Sequence, residues 1–87
     1  MKLTWFRGTK SRVARVDNVK IVITLDELAV TVERHMSIYP GEREKTHTID
    51  MRHSPVIMVY EFLCVFNLEE HFGEIITQHF QLRRELC

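Results

Sequence analysis

Eleven consecutive residues, Val56–Phe66 (VIMVYEFLCVF), are apolar apart from Glu61, and any fold for this chain has to place them. The run is far short of the ~20 apolar residues that a membrane-spanning helix needs. Seven of the eleven are β-branched or aromatic, a composition that favours a strand over a buried helix. Both alternating sets are apolar, so the run is predicted to be a long central strand, 56–66, covered on both faces. At about twice the usual strand length, it asks for more cover than a chain of 87 residues readily supplies.

That length supports one domain, 1–87, with a thin core: a chain this short buries roughly 60% of its unfolded surface. The 45% apolar and 28% charged content fits a folded protein rather than a disordered polar tail. The N-terminal half reads as β. Arg12–Val16 and Val19–Thr24 flank Asp17-Asn18, two residues that tolerate positive φ and suit a tight hairpin. The turn sets Val16 opposite Val19, Arg15 opposite Lys20 and Val13 opposite Val22. Ala14, Val16, Val19, Ile21 and Ile23 then share the core face. Lys2–Phe6 reads as a further strand, and Thr46–Met51 as a short polar edge strand.

Thr24-Leu25-Asp26-Glu27 has the form of a capping box, followed by apolar residues at helical spacing through Met36 and by Tyr39-Pro40-Gly41 as a stop. A helix over 25–38 is the favoured reading. The rival is a strand, because Leu28, Val30 and Val32 also alternate. Asn67-Leu68-Glu69-Glu70 gives a second capping signal. Leu68, Phe72, Ile75, His79, Leu82 and Leu86 follow at spacings of three and four, predicting a C-terminal amphipathic helix over 68–85. Gly73 weakens that helix and is expected to mark a close backbone approach. The fold class is α+β, an antiparallel sheet packed by two helices. A mostly β barrel or roll closed by the terminal helix is the runner-up.

Twelve Lys/Arg balance twelve Asp/Glu, but the charges are unevenly placed. Residues 1–20 carry a net of +5, residues 21–60 a net of −2 and residues 61–87 a net of −3. The basic segment mixes Trp5 with Arg7, Lys10, Arg12, Arg15 and Lys20, residue types that stack bases and contact phosphates. A solvated face is the preferred reading of these bases, since the domain as a whole is not basic. The gradient suggests that the basic front of one molecule meets the acidic back of another or of a partner.

Other chemistry is weak. Five histidines and two cysteines form no metal-ligand spacing, so no metal or cofactor is expected. Cys64 reads as a small buried hydrophobe and Cys87 as an exposed thiol. His79, on the apolar stripe, reads as a core histidine bonded to a neighbour, with pH-sensitive association as its functional alternative. There is no serine elbow, phosphate-cradling glycine loop or CxxC, and the chain is not expected to be an enzyme. No signal peptide is evident, and a cytoplasmic address is the default.

The leading expectation is a small regulatory protein that self-associates, as a homodimer or larger homo-oligomer, and binds or inhibits a protein partner. Its interface would draw on Tyr60, Phe62, Phe72, Ile76, His79 and Phe80. The alternative is a nucleic-acid-binding regulator that uses the basic N-terminal segment.

Overall fold

A computed structural model describes residues 2–33 and 45–86. Five antiparallel strands run in sequence order across one sheet: β1 (Phe6–Arg7), β2 (Arg12–Val16), β3 (Val19–Ile23), β4 (Glu27–Val32) and β5 (Lys45–Asp50). Two helices follow, α1 (Val56–Val65) and α2 (Phe72–Leu86), joined through a 3-10 turn at Glu69–His71. Both pack on the same side of the sheet, so the fold is α+β with two layers. Because side chains alternate along a strand, the pairing register decides which residues meet the helices.

The β2–β3 hairpin has the predicted register, with Val16 opposite Val19, Arg15 opposite Lys20 and Val13 opposite Val22. Asp17 takes the positive φ of 52° that the tight turn requires. Ala14, Ile21 and Ile23 are fully buried, while Val16 and Val19 close the rim. Thr46–Met51 is the expected edge strand, observed as β5. The N-terminal strand is shorter than expected, since only Phe6 and Arg7 pair with β2.

Two segments exchange their expected structures. Residues 27–32 of the anticipated 25–38 helix form β4, and residues 34–38 lie outside the described residues, as do Tyr39-Pro40-Gly41 and Cys87. The capping-box geometry is present but serves a hairpin. The Glu27 amide donates to Thr24 Oγ1 at 3.1 Å, and the Thr24 amide donates to the Glu27 carbonyl at 3.0 Å around Leu25-Asp26. A hydroxyl accepting from an amide three residues on closes a turn as readily as it caps a helix. Beyond the turn, Val30-Thr31-Val32 are three β-branched residues in a row, which favour a strand. Leu28 and Val30 lie beside Ile23 and Ile21 and complete the apolar face.

The long strand expected at 56–66 is instead α1, and its ends explain why. Pro55 opens the helix with φ −59°, and its carbonyl accepts from the Met58 amide at 2.9 Å. At the other end the Leu68 amide donates to the Leu63 carbonyl at 2.9 Å, and the Asn67 amide to the Cys64 carbonyl at 3.1 Å. Asn67 has a φ of 58°. This paired closure with a left-handed residue is the Schellman stop. Asn67 therefore ends α1 rather than capping the next helix. Local end chemistry outweighs the β-leaning composition of the run.

The terminal helix is where the spacing places it. Ile75, His79 and Leu82 are buried, and they join Val59, Leu63 and Leu68 over the Ile21–Ile23–Leu28–Val30 sheet face. Gly73 marks no close approach, because a Cβ at that position would have no neighbour within 4 Å outside its own helical backbone.

The helix at 56–65 makes a sharp prediction about residues that a strand would treat alike. Leu63 and Val65 would share one face of a strand; on α1, Leu63 is buried and Val65 is 76% exposed. Leu63→Ala is expected to cost about 2–5 kcal/mol, and Val65→Ala less than about 0.5 kcal/mol. Urea denaturation of the two variants measures the difference.

Candidate interaction surface

Helix α1 is apolar at nine of its ten positions, yet only Val59 and Leu63 are buried. The sheet can cover one side of a helix and no more. Ile57 (59% exposed), Val65 (76%), Val56, Met58 and Tyr60 therefore face outward, with Glu61 as the single charge among them. Cys64 lies on the same outer arc. It is exposed rather than buried, correcting the expectation drawn from its apolar neighbours. The neighbouring Cys64 side chain, first through charge and then through the hydrogen bond between the two groups, holds the Tyr60 phenol above its ordinary value.

The apolar band continues onto α2. Tyr60 and Phe72 meet edge-to-face with ring centroids 5.3 Å apart. Phe72, Ile76 and Phe80 then recur every four residues, one above the other on the helix. Phe72 and Ile76 are half-buried against the core, whereas Phe80 is 53% exposed. Of the six expected interface residues, the structure thus joins Tyr60, Phe72, Ile76 and Phe80. Phe62 turns inward to pack on the core and stands edge-on to Phe66 at 5.3 Å. His79 is buried, and its Nε2 donates to the Leu25 carbonyl at 3.2 Å. The exposure of Val56, Ile57, Met58 and Val65 is not expected from the sequence, because a strand reading covers both faces of that run.

The basic N-terminal residues do not converge on one surface. Trp5 lies on the helix side, half-buried against the core, where its indole N–H donates to Glu74 at 3.2 Å. The Leu3 amide donates to the same carboxylate at 3.0 Å. Arg7 and Arg12 are paired in register on that side, and Glu85 of α2 bonds to both, with Arg7 at 3.3 Å. Arg12 is 1% exposed; its Nη1 donates to the Ser11 carbonyl at 2.9 Å, and its Nε has no partner. Lys10 is exposed between β1 and β2. Arg15 and Lys20 lie on the opposite face of the sheet, and Arg15 is bound by Glu33.

Two signals for the Arg12–Glu85 pair were present in the sequence. Arg12 shares parity with Ala14 and Val16, which places it on the core face. Glu85 stands in the last turn of a helix, where a negative charge opposes the dipole and needs another partner.

Among the described residues, no group of three or more His, Cys, Asp or Glu side chains could hold a metal ion, and no helix is long and apolar enough to cross a membrane. His53 Nδ1 instead pairs with Asp50 at 2.8 Å. That hydrogen bond, together with the Arg52 amide, holds the Asp50 carboxyl below its usual value. No protein-family model, curated protein or solved structure matches this chain.

The Arg12 guanidinium also holds the Glu85 carboxyl below its ordinary 4.5, first through their hydrogen bond and then through its charge. A depressed carboxyl contributes stability above its unfolded value and loses it as pH falls through the folded one. The melting temperature is therefore expected to fall between about pH 5 and pH 3. In Glu85→Gln it should start lower at pH 7 and fall less over the same interval, as thermal melts across that range would report.

Proposed function

We propose that this protein is a non-catalytic interaction module that self-associates through the outer face of α1 and the adjoining Tyr60–Phe80 row, and that this assembly is the form in which it engages a protein partner. The observation that carries the reading is the exposure of Val56, Ile57, Met58, Tyr60 and Val65 on a single ten-residue helix. Contiguous apolar area of this kind is a mark of association sites in soluble proteins.

A second copy of the chain suits this face for three reasons. Its outer arc carries one charge, Glu61, so a highly charged ligand such as a nucleic acid has little to bind there. The chain is neutral overall, so copies approach without long-range repulsion. A stable interface requires about 800 Å² from each partner, whereas α1 alone spans only about 15 Å. The continuation through Phe72 and Ile76 to Phe80 lengthens the patch, and a two-fold contact lets the same patch meet itself. The alternative role in nucleic-acid binding has less support, because Arg7 and Arg12 share Glu85 on one face while Arg15 pairs with Glu33 on the other.

Sedimentation over a dilution series tests the proposal. The wild-type protein is expected to pass from dimer to monomer, and Ile57→Glu or Phe80→Glu to shift that midpoint at least about tenfold upward, since each places a charge in apolar contact. A monomer at every concentration, or a midpoint unmoved by both variants, would contradict it.

A further inference from the structure

We propose that a recess between α2 and two neighbouring turns binds a small phosphate-type oxyanion. The recess has a volume of about 330 Å³ and is lined by Leu25, Met51, Arg52, His79 and Arg83. That volume is at the lower end of small-molecule sites. One wall is α2, where His79 and Arg83 are four residues apart and so stand on one face. The other is built from the β3–β4 turn at Leu25 and the segment after β5 at Met51-Arg52. The two turns are fastened together, since the Met51 amide donates to the Asp26 carbonyl at 2.9 Å. His79 fixes the helix to the same turn through the Leu25 carbonyl.

The lining is unusual for its charge. It contains two guanidiniums and no carboxylate, whereas three other recesses include Glu74, Asp17 with Glu70, or Asp26. Asp26 stands outside the recess and offsets part of the positive charge, but it binds Arg52 through Nε at 3.0 Å. That leaves the terminal Nη donors of Arg52 for another acceptor. The Arg83 guanidinium lies over the Phe80 ring with Cζ 5.9 Å from its centroid. Stacking of this kind orients the group and keeps its in-plane N–H donors available. Two guanidiniums lining one recess offer the paired N–H donors that a tetrahedral oxyanion accepts. Leu25, Met51 and the His79 ring would limit what the anion is attached to.

Titration of the full chain with inorganic phosphate, followed by amide NMR against sodium chloride at matched ionic strength, tests the site. Saturable shifts are expected at Met51, Arg52, His79 and Arg83 with phosphate and not with chloride. Arg52→Gln combined with Arg83→Gln should weaken the midpoint roughly tenfold or more, the loss expected for two charge-assisted contacts, while the rest of the spectrum stays folded. Arg83→Lys, which keeps the charge and loses the fork, should lie between the two. Equal shifts in chloride, or a midpoint that both variants leave unchanged, would overturn the proposal.

Discussion

The one-sided cover of α1 governs the rest of the molecule. A five-strand meander offers its apolar face, Ile21, Ile23, Leu28 and Val30, to a single helical layer. Val59 and Leu63 of α1 and Ile75 and Leu82 of α2 fill that layer. Nothing among the described residues lies beyond α1, so its remaining apolar side chains stay in water. At about 25 cal/mol per Å² of apolar area, a helix left in this state has a persistent drive to be covered. The fold thereby yields a stable core and an unsatisfied surface from the same eleven-residue run.

Electrostatics ties the two ends of the chain together rather than preparing them for separate partners. The basic front and acidic back suggested complementary surfaces on different molecules. In the structure they meet within one chain, where Glu85 binds Arg7 and Arg12 and Glu74 binds Trp5 and the Leu3 amide. Burial of Arg12 makes this junction costly to break, because an unpaired guanidinium would remain in the core. Among the described residues, two surfaces stand apart from this junction: the almost uncharged outer face of α1 and the recess lined by Arg52 and Arg83.

Much of this was legible in the sequence wherever pattern and turn chemistry agreed. Asp17-Asn18 and the alternation around it specify the β2–β3 register, and the three-and-four spacing from Leu68 specifies α2. The two exchanged segments show where such reading stops. Thr24 makes the hydrogen bond that a capping box predicts, yet the bond closes a hairpin, and only pairing with β3 distinguishes the two uses. In Val56–Phe66 the β-branched and aromatic content pointed to a strand, while Pro55 before it and Asn67 after it are the start and stop of a helix. Tyr60, Phe72, Ile76 and Phe80 could be named as interface candidates from apolarity alone. The outward set Ile57, Met58 and Val65 could not, because its exposure follows from helical geometry and a single covering layer.

Amide hydrogen exchange measured as a function of protein concentration tests whether a second copy covers the outer face of α1 in solution. Exchange at Val56–Val65 is predicted to slow as concentration rises, while the β2–β3 hairpin, already in the core, stays unchanged. Exchange at α1 that is the same at every concentration would contradict the account.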